Sequence, residues 1–288
     1  MIKRIIKVAA ILAVLVLVSL KVASVWNVNL LEEDGSYGNI PSTKCCMALD
    51  YHRVRSRSFW NTFLEKTVAS DELVNYSIYT DEFEEEIQRL KNAGAYFATL
   101  EEVEEFRKND SFPDKCVWIS FDDGDDTLYK NAYPILKENN IPFTVFVIAG
   151  QVGNKDFNNQ MIVSWDQLRE MRDSGLVSFG SHTYNMHYFE DDGAKFLSKN
   201  VYDDFFKDIK LSREVLEEEL DVEIKSIAYP FGESSDALAD LSEKAGFESG
   251  YILAPYPIKA NNDDFFLNRY MVSRKNFDKI YDAWINNN

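Results

Sequence analysis

The sequence is short of cysteine, histidine and basic residues, and each shortage excludes a class of protein. Three cysteines in 288 residues, with no C-x-x-C pair among them, are too few for a disulfide-stapled scaffold or a zinc knot. The 31 lysine and arginine residues are outnumbered by 48 acidic ones, and the net charge of −17 argues against nucleic acid or anionic lipid as a partner. Neither a G-x-S-x-G elbow nor a P-loop occurs, which argues against a serine hydrolase and a nucleotide-binding enzyme.

Core-forming residues, in contrast, are plentiful. Hydrophobic residues make up 45% of the chain and aromatic residues 14%, which is typical of a folded globular protein. Cys45, Cys46 and Cys116 could supply one disulfide outside the cytoplasm, but we interpret them as small buried thiols. The acidic excess by itself indicates a well-solvated surface.

The N-terminal segment is apolar but shorter than a membrane span. A basic start, MIKRIIK, precedes thirteen uncharged residues, Val8 to Leu20, whereas a span needs about 20. Residues 1–24 therefore indicate a signal peptide with a weak cleavage site, or an uncleaved N-terminal membrane anchor whose lysines reach the bilayer surface. We expect the rest of the chain to be secreted or held at the cell surface. Residues 25–44 are predicted to be a linker, and residues 45–288 one catalytic domain.

Three segments repeat one pattern, in which a helix is followed by a glycine and then a strand. The first has apolar Phe83, Ile87 and Leu90 on one helical face. The others occupy residues 164–182, which open with an S-x-x-Q capping box, and residues 234–253. Regular alternation of helix and strand predicts an α/β fold with parallel strands.

Several predicted strands end in polar residues. Their bodies are short, nearly continuous apolar runs, as buried parallel strands are. The polar residues that follow them are Asp50–His52, Asp122–Asp123, His182 and Tyr229–Gly232. In α/β barrels the chemistry collects at the C-terminal ends of the strands. These residues, far apart in sequence, are therefore predicted to meet at one barrel mouth.

The stretch SHTYNMH contains two of the three histidines, His182 and His187. Five residues apart, they would not share a helical face, so they must come from a strand end and the turn after it. In ISFDDGDD, Asp122 and Asp123 follow another strand, and Gly124 permits a tight turn. Two imidazoles and one carboxylate form a metal-binding set with open positions, and the second aspartate can act as a general base. Judged by spacing alone, two unrelated loop histidines are an equally good interpretation.

FDDG, SHTxxxH and YPFG, in this order, resemble the motifs of the polysaccharide deacetylases, the NodB-homology or carbohydrate esterase family 4 enzymes. The resemblance covers nearly all of residues 45–272. It implies a distorted (β/α) barrel of about seven strands and a divalent metal, with Zn²⁺ as the first choice and Co²⁺, Ni²⁺ or Fe²⁺ as alternatives. It also implies that Asp122 is the catalytic base and that Asp123, His182 and His187 hold the metal.

The resemblance extends to residues that would contact the sugar. AYPFG matches the third family motif, which implies that the backbone near Tyr229 helps to hold the acetyl carbonyl oxygen and that Phe231 lines the groove. Aromatic rings stack well on sugar faces, and an arginine can contact a sugar, although all such residues can equally be structural. The further candidates for sugar contact are Tyr51, Arg53, Trp165 and Tyr184.

Two positions depart from the family pattern. Ala228 stands where the family has an arginine, and Arg269 stands where a C-terminal Leu-x-His supplies the general acid. The third histidine, His52 in LDYHRVR, can protonate the departing amine instead. An N-terminal YHR motif and the longer histidine spacing resemble the circularly permuted poly-β-1,6-N-acetyl-D-glucosamine N-deacetylases of biofilm intercellular-adhesion systems.

The sequence therefore predicts metal-dependent hydrolysis of N-acetyl groups on an extracellular β-1,6-linked N-acetylglucosamine polymer, with release of acetate. We expect a monomer that acts on polysaccharide, binds no nucleic acid, and is secreted or attached at the outer face of the membrane. Three alternatives are a peptidoglycan or chitin deacetylase, a catalytically weak glycan-binding wall protein, and a non-haem iron oxygenase, which uses a similar ligand set. The oxygenase leaves Asp122 without a role, and glycan binding alone needs neither an acid nor a base.

Overall fold

The computed structural model describes Tyr37 and residues 40–58, 76–190 and 193–286. The predicted signal or anchor segment, residues 1–24, lies outside the described residues, as does most of the predicted linker. The end of that linker belongs to the fold, because Ile40 is buried and its N–H donates to the carbonyl of Ala283. Within the described part of the chain, no helix combines the length and the apolarity needed to cross a membrane.

Parallel strands close into the predicted barrel. The strands of the described chain are β1 (Cys46–Tyr51), β2 (Arg53–Arg55), β3 (Ser77–Tyr79), β4 (Tyr96–Phe97), β5 (Cys116–Phe121), β6 (Phe143–Val147), β7 (Val177–Ser181), β8 (Phe189–Glu190), β9 (Gly193–Ala194), β10 (Ser226–Ala228), β11 (Ser249–Leu253) and β12 (Leu267–Met271). Seven of them form the ring, in the order β1, β12, β11, β10, β7, β6 and β5, and β5 pairs back to β1. One edge of β5 is shared by two strands: short β4 pairs with its first residues, and β6 pairs with its last residues. This divided edge distorts the barrel. The fold prediction is confirmed.

All but one of the helices of the described chain pack against the outer face of these strands; the exception, Leu100–Asn109, contributes Leu100 and Val103 to the cluster that contains Trp118. The helices are α1 (Thr80–Asn92), α2 (Leu100–Asn109), α3 (Tyr133–Glu138), α4 (Trp165–Asp173), α5 (Tyr202–Leu220), α6 (Asp236–Lys244) and α7 (Phe277–Ile285). The predicted capping box of α4 is present, since the Ser164 hydroxyl and the Gln167 side chain each accept a backbone N–H of the other residue. Gly94 after α1 and Gly246 after α6 both adopt positive φ, at 79° and 93°.

Side chains along the strands alternate between two cores. Leu49 of β1 packs beneath the helices, whereas Ala48 belongs to the cluster around Trp118 of β5 inside the barrel. The alternation continues to the strand ends, so Asp50 and Ser120 also face the interior, where the Ser120 hydroxyl donates to Asp50 Oδ1 at 2.9 Å. Polar residues near the strand ends therefore lie inside one rim of the barrel.

A disulfide joins β1 to β5 near their N-terminal ends. Cys46 and Cys116 are direct partners in the strand register and are bonded, whereas Cys45 is a free buried thiol that donates to the carbonyl of Pro41. The interpretation of all three cysteines as thiols is therefore wrong, because strand pairing brings two of them within bonding reach. The bond ties together the two strands whose other ends carry His52 and the FDDG aspartates.

Loss of this disulfide is expected to lower the stability of the fold markedly. The bond links residues 70 positions apart, and restricting a loop of that length in the unfolded chain is worth about 4 kcal/mol on the chain-entropy account. The Cys46→Ala/Cys116→Ala double variant should therefore unfold at lower urea concentration, as followed by circular dichroism. Cys45→Ala is the matched control because it removes a buried thiol but no cross-link. Equal losses of stability in the two variants would contradict the assigned role.

Candidate active site

The turn after β5 separates two neighbouring aspartates. Asp123 adopts the left-handed conformation (φ 68°) and Gly124 follows with φ 80°. The N–H of Gly124 donates to the carbonyl of Asp122 at 2.8 Å, and the N–H of Asp122 donates to the carbonyl of Tyr51 at 3.1 Å. Aspartate tolerates left-handed φ better than most residues with a Cβ. As a result, the two carboxylates have different partners.

Asp123 faces both histidines of SHTYNMH. Its Oδ1 lies 3.5 Å from Nε2 of His182 and 3.3 Å from Nε2 of His187. One potential ligand atom from each of these residues lies within 4.8 Å of the others. The structure thus brings together the three residues predicted to bind metal, from the ends of β5 and β7.

The hydrogen bonds around this trio favour a cation between its members. Nδ1 of His182 lies 2.8 Å from the carbonyl oxygen of Ala228, which can only accept, so Nδ1 carries a proton. Burial lowers the pKa of His182 to about 4, so the ring is neutral and Nε2 presents a lone pair. Asp123 Oδ1 is buried and has no hydrogen-bond partner in the described part of the chain. These electron-rich atoms fit a divalent metal, for which one carboxylate and two imidazoles are a suitable set.

Asp122 contacts an arginine instead. Arg269 of β12 donates to Asp122 Oδ1 at 2.7 Å and to Oδ2 at 2.8 Å, and it also donates to Asp50 Oδ1 at 2.8 Å. All three side chains are buried. Burial disfavours the ionised form of Asp122, but Arg269, followed by His182, more than offsets it and holds the pKa of Asp122 well below its ordinary value. Asp122 is therefore a carboxylate near neutral pH, as a general base must be.

His52 follows β1 and stands beside Asp50. Its Nδ1 lies 3.6 Å from Asp50 Oδ2, and its ring packs edge-on against Tyr76 with 4.8 Å between the ring centroids. One polar atom from each of Asp50, His52 and Asp122 lies within 4.8 Å of the others, so the predicted acid and base flank one space. Burial lowers the pKa of His52, while Asp123 and Asp122 oppose that shift.

Asp50 links the predicted acid to the predicted base. Its Oδ1 accepts from Arg269 and Ser120, while Oδ2 lies toward His52 and accepts no hydrogen bond among the described residues. Burial raises the pKa of Asp50 well above its ordinary value, although Arg269 opposes the shift. Arg269 and Asp122 are therefore the ionised pair, and Asp50 Oδ2 lies beside Nδ1 of His52 at 3.6 Å, beyond hydrogen-bond distance.

Asp50 and Arg269 belong to the site, although the sequence predicts a role for neither of them. The strand pattern predicts only that Asp50 lies at the barrel mouth, and Arg269 enters only as a departure from the family pattern. The contacts of Arg269 join residues 147 positions apart, in the case of Asp122, and 219 positions apart, in the case of Asp50. Two signals could have indicated these roles. Counting by two from Ala48 places Asp50 inside the barrel, and an arginine on a strand of a buried sheet requires a carboxylate partner.

Two tyrosines predicted to act near the sugar lie in the helix-facing core. Tyr51 is buried and donates its hydroxyl to Glu86 Oε2 at 2.9 Å. Tyr229 is also fully buried; its hydroxyl donates to Ser242 Oγ at 3.3 Å, and its N–H donates to the carbonyl of Tyr251. The predicted sugar contact of Tyr51 is therefore wrong. The N–H of Tyr229 itself is occupied, and a contact between the acetyl carbonyl oxygen and the backbone near Tyr229 stays a prediction. Strand alternation turns both rings outward, and strand pairing occupies the Tyr229 N–H.

The other predicted sugar-contact residues are placed differently from one another. Phe231 adopts the left-handed conformation (φ 59°), and its ring centroid lies 4.4 Å from that of His187. Arg53 is buried, with Nε 3.9 Å from Asp125 Oδ2. Trp165 and Tyr184 are partly buried and pack against the hydrophobic core between the strands and the helices. Contact with a sugar stays a prediction for all four.

Known polysaccharide deacetylases match this chain along most of its length. The profile of the family described as polysaccharide deacetylase matches residues 109–250. A poly-β-1,6-N-acetyl-D-glucosamine N-deacetylase of Staphylococcus aureus (strain MRSA252) is 37% identical over 238 residues, which cover 83% of this chain and 82% of the relative. Its Staphylococcus epidermidis counterpart is 36% identical over 241 residues, with the same coverage. The solved structure of IcaB from Ammonifex degensii superposes with a TM-score of 0.73 at 30% identity, covering 85% of this chain and 99% of that one. The chain therefore belongs to the polysaccharide deacetylase family, as FDDG, SHTYNMH and YPFG predicted.

Proposed function

We propose that this enzyme removes N-acetyl groups from poly-β-1,6-N-acetyl-D-glucosamine outside the cytoplasm and releases acetate. The observation that carries the proposal is the position of His52 and Asp50, from the first strand, beside Asp122 at the barrel mouth. In the sequence, the N-terminal YHR motif and the longer histidine spacing are the features that resemble the β-1,6 branch and not the rest of the family. The staphylococcal relatives named for that activity, which align over 83% of the chain, support the same substrate.

Asp123, His182 and His187 are the residues that would hold the metal. A divalent cation bound there supplies a Lewis acid for the acetyl carbonyl and lowers the pKa of a bound water toward about 7. Asp122 lies next to this trio in an ionised form, and each of its oxygens keeps lone-pair capacity after accepting one N–H of Arg269. Asp122 is thus the group placed to take the proton of the attacking water.

His52 serves the other half of the reaction. Cleavage of an amide requires that the departing nitrogen gain a proton, which a positioned acid can donate. Because Nδ1 of His52 lies toward Asp50, Nε2 is the nitrogen left to donate to the substrate. The products are acetate and a glucosamine unit with a free amine.

Replacing His52 with alanine is expected to lower kcat by about 10²-fold, the lower end of the effect of losing an acid or base. The lower end applies because burial depresses the pKa of His52, so that only part of the enzyme carries the proton near neutral pH. The protonated ring is the working form, so activity should fall as pH rises through the pKa of His52, and the variant should lack that limb of the pH profile. Metal content, measured in parallel, should be unchanged. An unchanged kcat would contradict the role of His52.

Acetate release tests the proposed substrate against the alternatives. The metal-loaded protein is assayed on β-1,6-linked and β-1,4-linked N-acetylglucosamine oligomers and on peptidoglycan, with Asp122→Asn as the blank. The proposal expects the highest kcat/KM on the β-1,6 oligomers. The highest value on another substrate would favour the chitin-type or peptidoglycan deacetylase, and no acetate from any of them would favour a glycan-binding wall protein. A product that forms only in the presence of oxygen would favour the iron oxygenase.

We also infer which metal is used and where the enzyme acts. Zn²⁺ suits the ligand set best, and Co²⁺, Ni²⁺ or Fe²⁺ can occupy the same ligands. The basic start and the apolar run within residues 1–24 support action outside the cytoplasm, as a secreted or surface-attached monomer. A role in biofilm or exopolysaccharide formation follows from the proposed substrate.

A further inference from the structure

Two of the three proposed metal ligands lie on residues 182–187, called here the histidine loop. The loop contains no helix and no strand. Within it, Thr183 adopts the left-handed conformation (φ 71°), which is a genuine outlier for a β-branched residue. Such a strained conformation persists only where contacts with neighbouring groups hold the backbone in place. Metal ligands, in turn, require fixed positions. The groups that hold the backbone of this loop therefore matter to the site.

One carboxylate on a neighbouring helix holds the middle of the histidine loop. Asp208 of α5 accepts the backbone N–H of Tyr184 at Oδ1 and that of Asn185 at Oδ2, each at 2.8 Å. Both are charge-assisted bonds, which are roughly twice as strong as bonds between neutral groups. Asp208 thus takes the place of the hydrogen-bond ladder that a regular element would provide.

The same helix supplies a second anchor. Ser212 is fully buried, and its Oγ lies 2.7 Å from that of Ser181, the last residue of β7. Ser181 Oγ in turn accepts the N–H of Thr183 at 3.1 Å. Ser212 and Asp208 are four positions apart and so lie on one side of the helix. Helix α5 therefore contacts both the start and the middle of the histidine loop.

A turn after β6 holds the loop from another direction. The N–H groups of Ala149 and Gly150 donate to the carbonyls of Thr183 and Tyr184, at 3.1 and 2.8 Å. A Cβ on residue 150 would lie 2.5 Å from the Tyr184 carbonyl oxygen, so the close approach requires glycine. With its carbonyls bound on this side and its N–H groups bound by Asp208, the loop has little freedom to shift.

We propose that Asp208 is a positioning residue for metal binding, with Ser212 as its supporting anchor on α5. The inference rests on the proposed metal site. His182 is fixed separately, since its N–H donates to the carbonyl of Val147 and its Nδ1 to that of Ala228. Asp208 binds the backbone that leads from His182 to His187, so a displacement there would move Nε2 of His187 relative to Asp123 and His182. Outer partners that orient ligands typically contribute about 10- to 100-fold to metal affinity.

The test compares Asp208→Asn with Asp204→Asn, an exposed aspartate one turn earlier on the same helix. Asparagine keeps the shape of the side chain, but its amide nitrogen cannot accept, so one of the two loop N–H groups loses its acceptor. Zn²⁺ affinity of the metal-stripped protein is measured by competition with a chromophoric chelator. It should fall about 10- to 100-fold in Asp208→Asn and stay unchanged in Asp204→Asn. The urea midpoint of each stripped protein reports the stability of the fold separately.

A wild-type Zn²⁺ affinity in Asp208→Asn would overturn the proposal whatever its urea midpoint, because a merely structural residue changes stability and not the affinity of the folded protein. If Asp208→Asn does not fold, Ser212→Ala takes its place, with a weakened affinity expected and an unchanged one again overturning the proposal. His182→Ala is measured alongside. If His182→Ala binds Zn²⁺ as tightly as the wild type, the metal site itself is refuted. If His182→Ala loses Zn²⁺ binding while Asp208→Asn keeps it, only the role of Asp208 is refuted.

Discussion

Removal of the metal with a chelator should abolish acetate release, and added Zn²⁺, Co²⁺ or Ni²⁺ should restore it. An acetyl amide is a weak electrophile, and the site without a cation presents only electron-rich atoms from Asp123, His182 and His187 to its oxygen. The loss should therefore exceed the roughly 10²- to 10⁴-fold effect of a single acid or base. Acetate release before and after chelation, with each metal added back in turn, measures it.

His182→Ala should lose both the metal and the activity, and added metal at stoichiometric concentration should not restore the rate. The substitution removes the Nε2 that faces Asp123 and leaves the carbonyl of Ala228 without its imidazole donor. His52→Ala is the matched control, because it truncates another buried histidine at the same mouth yet should keep one metal per chain. A His182→Ala protein that holds stoichiometric metal and turns over at full rate would exclude the assigned ligand set.

The convergence of the three proposed metal ligands could be predicted because each part is a short local motif. FDDG and SHTYNMH both place polar residues directly after an apolar strand, and the ends of parallel strands meet at one rim. The α/β alternation is also encoded locally, in capping boxes and in the glycines that end helices. Information of this kind needs no knowledge of which strand neighbours which.

The partners across the barrel could not be predicted in this way. Arg269 of β12 donates to Asp122, which is 147 positions earlier in the sequence. The two residues lie close together because β12 and β5 are the two neighbours of β1 in the ring, and no sequence spacing reveals that arrangement. The disulfide depends in the same way on the pairing of β1 with β5. The error at Tyr51 has a different origin, because one residue of register decides whether a side chain faces the barrel interior or the helices.

Asp122→Asn is expected to lower kcat by about 10²- to 10⁴-fold while the metal stays in place. The substitution is nearly isosteric, but an amide group is far less able than a carboxylate to take a proton from water. Asp123, His182 and His187 are untouched, so metal content and KM should stay close to wild type. Acetate release at saturating substrate, with metal content measured on the same sample, gives the comparison. Asp126→Asn is the matched control in the same turn, since that carboxylate is paired with Lys130.

The fold should survive Asp122→Asn because Arg269 has a second carboxylate. Asp50 Oδ1 already accepts from Arg269 at 2.8 Å, and repulsion from Asp122 is one of the causes that raise the pKa of Asp50. When Asp122 is neutral, Asp50 ionises more readily and balances the arginine, which avoids the roughly 3–5 kcal/mol cost of an unpaired buried charge. A kcat within tenfold of wild type at full metal loading would contradict the base assignment. Because an arginine does not give up its proton near neutral pH, the base would then have to be Asp50 or His52.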